Sequence, residues 1–499
     1  MKIFSAAQIK SWDAFTVSQV PIASIDLMER AATACFNWLV KNNFVQQPIH
    51  IFCGKGNNGG DGLALARLLT LHHFNTKVYV LQSASKGSAD FETNLARLVT
   101  FNLIIHTIAA ADDFPTLTQE DIIIDALFGT GLNKPPEGIA ADVIGFIAKS
   151  TATVIAIDIP SGMYADKTSR LNTVVVANYT LSFEQYKLSF LMAENEPYTG
   201  EVQVLHIGLH KQFVADEPAV FEMVDKEMIS QAYLPRKVFA HKGTYGHALL
   251  YAGSKGMMGA AILAAKACLR SGVGLLTIAV PEPGGDILQA RVPEALCITD
   301  SDEKFMEYCW HQKAVIGIGP GWGTATAAVE VLDNIIEKWK GQLLMDASAL
   351  QYLALYPAKQ SLLIANTILT PHPKEFDRCF GDSNNDFERV ELAMQKAAKL
   401  KIYIVLKGHH TLIATPDGKG YFNSTGNAGM AKGGSGDVLT GIITGLLAQG
   451  YIPLHACMLG VYLHGLAGDI AAEKFSQEAM LPGDIILNLG AAFRIIQKN

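Results

Sequence analysis

At 499 residues the chain is too long for one ordinary hydrophobic core, so two domains are expected and a third is left open. With 49% hydrophobic and 17% charged residues it reads as a well-buried globular enzyme, which excludes a disordered or coiled-coil protein. A net charge of -7 supplies no basic field for a nucleic-acid backbone, although local amides still suit small phosphorylated ligands. The seven cysteines, at 35, 53, 268, 297, 309, 379 and 457, form no CxxC pair and suggest buried thiols in a reduced, cytoplasmic setting. The first residues, MKIFSAAQIKSWDAF, lack the apolar stretch of a signal peptide.

Residues 5–43 follow a helical period, with Ser24 as a candidate cap before AATACFNWLV. Residues 48–53 then read as a buried strand delivering GKGNNGGDG (54–62) ahead of the helical LALARLLTLHH. Asn57, Asn58 and Asp61 add oxygens and amides suited to a cation, a carboxamide or phosphate, and the spacing is not the dinucleotide fingerprint. Further strands are expected at 77–82 and 101–108. DIIIDALFGTGLNKP (121–135) and TVIAIDIPSG (153–162) each run an apolar strand into an aspartate, Asp125 and Asp158, and then a turn. Each aspartate alone is more often a turn or helix-cap residue; three such strand ends reverse that reading and describe an open parallel sheet with its ligands beyond the carboxyl ends. Strands follow within 174–190 and 201–208, with a turn at 196–200, and 209–235 carries charge and prolines without a sheet pattern, as a connection would.

The architecture restarts at residue 241. HALLYAG and GLLTIAVP read as strands around an alanine-rich helix, KAVIGIGPGWGT (313–324) ends in a glycine loop, and QLLMDASALQYL (342–353) puts Asp346 at a strand end. His372 lies between two prolines, where no ladder can run, as an exposed loop residue or a substrate contact. Residues 402–426 look like paired strands that place Lys407 and Gly408 near the densest glycine run, TGNAGMAKGGSGDVLTG. There the loop is either a turn whose Asp437 caps the next helix or a phosphate cradle whose Asp437 takes a proton from an attacking hydroxyl. Lys432 precedes the glycines, so this is not a P-loop. The stretch from Val438 to Gly468 has no Asp, Glu, Lys or Arg, but Gly450–Pro453 divides it into two helix-length pieces, and two buried helices are expected rather than a membrane span.

In their order and number these motifs resemble the bifunctional NAD(P)H-hydrate repair enzymes, an epimerase fused to a dehydratase. CGKGNNGGDG, DALFGTGLNKP and AIDIPSG match the epimerase; HKGTYGHALLYAGS, IGPGWG, LTPHPKEF, VLKGHHTLI and NAGMAKGGSGDVLTG match the dehydratase. The resemblance implies an N-terminal Rossmann-like three-layer αβα domain (1–212), a connection (213–227) and a ribokinase-like α/β domain (228–499). It implies epimerisation of R- and S-hydrated NADH and NADPH (NADHX and NADPHX) and ADP-dependent dehydration of the S form, with release of AMP and phosphate.

For the epimerase, the resemblance places Asn57, Asn58, Gly59, Gly60 and Asp61, with Gly129, Thr130, Gly131, Leu132, Asn133, Lys134 and Pro135, at the substrate. It places a potassium ion on Asn58, Asp125 and Ser161, and catalysis on Asp158. For the dehydratase it implies Ala260, Gly323 and His372 at the substrate, and Lys407, Gly408, His409, His410 and Thr411 at the nucleotide. Asn427, Ala428, Gly429, Met430, Ala431, Lys432, Gly433, Gly434, Ser435 and Gly436 would join them there, with Asp437 as catalyst, ADP as phosphoryl donor and Mg2+. The family also suggests a homo-oligomer; neither nucleic acid nor membrane is an expected partner.

Three local departures stand out: LMERAA (27–32) for LMENAG, Ser348 in DASAL where Asp is common, and EQYKLSF (184–190) for a phrase ending in Lys-x-Gly. The first alters a charge near the epimerase pocket or an interface, the second puts any polar role of that side chain in doubt, and the third bears on the loop after the later strands. A sugar or vitamin kinase with an accessory nucleotide-binding domain would share the GxGD ending, and a non-enzymatic N-terminal module would bind without turnover. The companion motifs favour the repair enzyme over both.

Overall fold

The protein's structure is a computed structural model that describes all residues except 83–85, 102, 300–309, 311–314 and 498–499. It divides into two compact units, one of Lys2–Ala219 with Asn385–Phe387, the other of Met1, Val220–Asn384 and Glu388–Asn499.

In the N-terminal unit, strands β1 (Ile49–Cys53), β2 (Thr76–Leu81), β3 (Ile105–Ile108), β4 (Ile122–Ala126), β5 (Thr153–Ile157), β6 (Tyr179–Phe183) and β7 (Glu201–Leu205) form one sheet. Its order is β3-β2-β1-β4-β5-β6-β7, and every pairing is parallel. The strand alternation makes three layers. Ile49, Ile51, Ile122, Ile124 and Ile155 pack with helices α2 (Ser24–Lys41), α3 (Asn57–Leu71) and α4 (Ala89–Val99), whereas Phe52, Ile123, Val154 and Ala156 pack with α5 (Ile139–Ala148). Neighbouring residues of one strand point to opposite faces, so both faces are apolar and both are covered. This is a Rossmann-like αβα domain, and the strand order reverses between β1 and β4, where ligand crevices open. A first helix, α1 (Ala6–Gln19), begins with a capping box between Ser5 and Gln8. Ser24 is not a cap: it is the first residue of α2, Ala23 precedes it, and its hydroxyl bonds Asp90 at 2.6 Å.

In the C-terminal unit the strands are β8 (Phe221–Val224), β9 (His247–Tyr251), β10 (Leu275–Ala279), β11 (Leu296–Ile298), β12 (Val315–Ile318), β13 (Leu343–Met345), β14 (Ile368–Leu369), β15 (Tyr403–Leu406), β16 (Leu412–Ala414) and β17 (Gly420–Asn423). Their order is β8-β17-β16-β15-β14-β13-β12-β9-β10-β11, with β16 antiparallel to both neighbours. The segment 209–235, which has no sheet pattern in the sequence, holds β8 between short helices Lys211–Asp216 and Lys226–Ala232. Four residues are too few to show alternation. Residues 196–199, expected as a turn, form one helical turn that begins at Glu196 with Pro197 second.

Among the helices of this region are α6 (Met258–Arg270), α7 (Pro373–Phe380), α8 (Ser435–Ala448), α9 (Pro453–Phe475) and α10 (Pro482–Gln497), with others at Thr326–Lys338, Ser348–Leu355 and Asp386–Leu400. The uncharged stretch is indeed α8 and the first part of α9, and no described helix is long and apolar enough to cross a membrane. The cysteines at 35, 53, 268, 297, 379 and 457 are free thiols, and Cys309 lies outside the described residues.

Candidate active sites

The N-terminal site begins where β1 turns through Gly54–Gly56 into α3. Asn57–Asp61 therefore open the helix itself instead of forming a loop ahead of it. Gly59 is demanded by packing, since a Cβ there would lie 1.7 Å from the Gly54 carbonyl oxygen. Asn58 is buried, and neither atom of its side-chain amide has a hydrogen-bond partner among the described residues. An unmet buried amide costs free energy unless a ligand completes it.

At the end of β4, Asp125 is fully buried. Its carboxylate accepts from the Ser161 hydroxyl at 2.6 Å, the Ser161 N–H at 2.7 Å and the Leu127 N–H at 3.2 Å. Burial nevertheless pushes it up to about 6 against those bonds, so a cation here would favour the ionised form. The Ser161 hydroxyl also accepts the Phe128 N–H at 2.8 Å, tying β4 and β5 ends together.

Asp158 follows β5 with φ +68°, a left-handed conformation that a non-glycine residue adopts at a cost of about 1–3 kcal/mol. Its Oδ1 lies 2.6 Å from the Lys187 ammonium, and its Oδ2 accepts the Thr130 N–H at 3.2 Å. Lys187 is only 1% exposed and also donates to the Ser182 hydroxyl at 2.8 Å, so the ion pair is internal and fixed. A Cβ on Gly129 would sit 3.2 Å from Asp158 Oδ2 and 3.3 Å from the Asn58 Cβ, which shows how closely these pieces converge. Asn57, Asn58, Asp61, the 129–135 loop and Asp158 all line one cavity of about 990 Å³. Gly59 and Gly60 are buried behind its wall, and Arg30 of LMERAA reaches the Gly208 carbonyl at 3.4 Å instead of lining it.

The C-terminal site is organised by Asp346, a buried carboxylate directly after β13. One oxygen lies 2.9 Å from the Lys407 ammonium and the other accepts the Thr440 hydroxyl of α8 at 2.8 Å. The next residue, Ala347, has φ +44°, so both sites keep a strained non-glycine residue at a strand end. Burial pushes the Lys407 ammonium down, but Asp346, Glu375 and Asp437 outweigh it and hold it above the usual lysine value.

His372 is neither in a loose loop nor alone. It caps α7: its Nδ1 accepts the Glu375 N–H at 3.3 Å, and the Glu375 carboxylate accepts the His372 N–H at 2.9 Å. Glu375 also lies 3.8 Å from the Lys407 ammonium, which links His372 to the centre.

In the glycine run, Gly434 at φ +102° precedes α8 as its N-cap, so Asp437 is the third helical residue. The Asp437-cap alternative is thereby corrected. No described residue hydrogen-bonds its carboxylate; burial, then the Asp346 charge, push it up to about 6 while Lys407 opposes. The loop lies against the ion pair, since a Cβ on Gly436 would be 3.3 Å from Lys407 Nζ. The first amides of α8 have no carbonyl of their own helix to bond, and its positive end lies at the same place.

The rest of the run braces this cradle. Lys432 donates to the Glu478 and Met480 carbonyls, Asn427 donates to Asp469 at 2.9 Å, and residues 428–430 make one short turn. Gly408 and Thr411 bond each other, and His410 lies 3.1 Å from the Asn423 carbonyl, with burial lowering its imidazole to about 4. His409 is exposed. Ser348 does keep a polar role: its hydroxyl accepts the Gly323 N–H at 3.0 Å. The same loop approaches Ala260, whose Cβ would be 3.0 Å from a Cβ on Gly321.

Sequence reasoning missed Lys187, Glu375 and Thr440 and noted Asp346 only as a strand end. Glu375 had a readable signal, its capping-box spacing from residue 372. The lysine of EQYKLSF is the one that the family phrase retains, although its glycine is replaced by Ser189.

Residues 248–489 match the family model described as NAD(P)H-hydrate dehydratase, and 24–189 match the YjeF-related protein N-terminus. A bifunctional NAD(P)H-hydrate repair enzyme of Thermofilum pendens is 34% identical, covering 100% of this chain and 97% of that protein. Another, from Moorella thermoacetica, is 35% identical over 97% of this chain and 95% of its own length. A solved ribokinase-like superfamily protein from Enterococcus faecalis V583 is 30% identical with a TM-score of 0.52, covering 56% of this chain and 97% of that one.

Proposed function

Because the chain belongs to the family of bifunctional NAD(P)H-hydrate repair enzymes, we propose that its two strand-end sites divide the repair between them. The chain is an isomerase and a lyase that restores hydrated NADH and NADPH by epimerisation and dehydration. We assign epimerisation to residues 1–212, with Asp158 at the hydrated nicotinamide ring, and dehydration to residues 228–499, with Asp437 at the 6-hydroxyl. Residues 213–227 join them.

The observation that carries the dehydratase assignment is the Asp437 carboxylate, held by no hydrogen bond among the described residues, beside a glycine cradle and Lys407. A site that only bound nucleotide would gain nothing from that charge next to phosphate. In our reading Asp437 takes the proton of the 6-hydroxyl as its oxygen attacks the terminal phosphorus of ADP, and AMP leaves. The new C6 phosphate then departs with the C6–O electron pair, and loss of a proton from carbon 5 restores the dihydronicotinamide. Hydroxide is a poor leaving group and phosphate a good one, which is why a phosphoryl donor is used. The Gly433–Gly436 amides and Lys407 would stabilise the transferring group. Mg2+, when bound, would neutralise phosphate charge; here it would be held by ADP oxygens as much as by protein.

At the N-terminal site the donor set suits a potassium ion. Asn58 has an unmet buried amide oxygen, and the Ser161 hydroxyl and buried Asp125 are hard oxygen ligands. When bound, potassium would supply positive charge near the ring, and Asn58, Asp125 and Ser161 would hold it. The 129–135 loop and Asn57 would orient the substrate.

The test is to supply the S-hydrate of NADH to the full chain with ADP or ATP, Mg2+ and K+, and to follow the near-ultraviolet absorbance of the dihydronicotinamide. Nucleotide-dependent recovery of that absorbance is expected; its absence with both nucleotides would sink the dehydratase assignment.

A further inference from the structure

We propose that Asp13 is a second catalytic carboxyl of the epimerase site, the proton-carrying acid that works opposite the ion-paired Asp158. The inference deepens the epimerase assignment and rests on it.

Asp13 lies on α1, outside every motif discussed above, yet lines the same cavity as Asn57, Asn58, the 129–135 loop and Asp158. Its helix is rigidly seated. Neighbouring Trp12 is buried, its indole N–H donates to the His210 carbonyl at 2.9 Å, and it stacks on Phe213. Thr16, one turn on, accepts the His210 N–H at 3.0 Å. Such anchoring holds the Asp13 side chain towards the cavity instead of letting it turn to solvent.

The two carboxyls have opposite surroundings. Asp158 meets an ammonium at 2.6 Å and accepts an amide N–H at 3.2 Å. Asp13 has no hydrogen bond or ion pair among the described residues; burial, then the Asp158 charge, push its carboxyl up to about 7, with Lys187 opposing. Asp61, whose own carboxyl is raised by burial and by both of these aspartates, adds no compensating charge. The other charged groups on the cavity wall are Lys10 on α1, Asp90 on α4, and Lys134 and Glu137 of the loop. Paired carboxyls whose environments separate them in this way take acid and base roles.

The reaction calls for both roles. Asp13 gives its proton to the hydroxyl on carbon 6, and the C6–O bond breaks with its electron pair leaving as water. The ring nitrogen's lone pair fills the vacancy and carbon 6 becomes planar. Water then adds from the opposite face, its excess proton passing to Asp158. The product is the other epimer; Asp13 is left ionised, and proton exchange with solvent resets the pair.

Interconversion of purified R- and S-hydrates is measured on the full chain without nucleotide across pH, for the unaltered protein, Asp13→Asn and Asp13→Glu, with unfolding curves recorded for each. The unaltered protein should lose rate as pH rises through about 7. Asp13→Asn should fall roughly 100-fold and lose that alkaline limb, while Asp13→Glu should retain a limb and most of the rate. Unaltered rate and pH profile in Asp13→Asn, or equal losses in Asn and Glu variants that unfold like the parent, would overturn the proposal. If the unaltered chain interconverts nothing, the epimerase assignment itself fails.

Discussion

The two sites solve the same problem, a carboxylate held at the end of a parallel strand, in opposite ways. At the N-terminal site the strand-end residue itself, Asp158, faces the cavity and is locked by buried Lys187. At the C-terminal site the strand-end residue, Asp346, is the buried scaffold: it binds Lys407 and the Thr440 of α8 and leaves the chemistry to Asp437, in the first turn of that helix. A carboxylate held by an ammonium is fixed in position, whereas Asp437, raised by burial and by a neighbouring anion, is poised to take a proton. The strand-end carboxylate is thus the reacting group in one domain and the scaffold for the reacting group in the other.

The largest expected effect that would break this comparison comes from Asp437→Asn. Nucleotide-dependent dehydration should fall by on the order of 100-fold to 10,000-fold, with R/S interconversion unchanged, as read by absorbance recovery and by separation of the epimers. Next comes Lys187→Met, which leaves Asp158 unpaired in a buried site. Epimerisation should be lost, and the unfolding transition of the N-terminal unit should weaken by about 3–5 kcal/mol, while dehydration of the S-hydrate continues.

Opposite pH responses would sharpen it. Asp437 must be ionised to accept a proton and its pKa is raised to about 6, so dehydration should rise as pH increases through that value. Asp346→Asn removes a charge that raises Asp437, so that limb should move to lower pH even if the maximal rate also drops. The smallest effect concerns the cation. Potassium should raise the melting temperature of the N-terminal unit in the unaltered chain but not in Asn58→Ala, because only a binding-competent native state is stabilised by mass action.

Much of this arrangement is legible in the sequence, because it rests on short local patterns. Apolar runs ending in Asp125, Asp158 and Asp346 mark the carboxyl edge of each sheet, and Gly433–Gly436 before an apolar helix marks the cradle. What escapes is set by long-range contact. Lys187 meets Asp158 and Lys407 meets Asp346 across many residues, so neither pair has a local signature. His372 looks isolated between prolines, yet Pro373 is the first residue of α7 and Glu375 completes its cap. Asn57–Asp61 look like a loop because glycines disfavour helix, but close packing at Gly59 requires them there. Ser348 replaces the family's Asp and still holds Gly323, since an amide needs only an acceptor and not a charge.

The most direct test of two separate centres uses Asp158→Asn in the full chain on a mixture of R- and S-hydrated NADH with excess nucleotide, Mg2+ and K+. The S fraction should be restored at the unaltered rate, and the reaction should then stall with the R-hydrate left over, crawling on only at its uncatalysed interconversion rate. Equal loss of repair for both epimers would contradict the account.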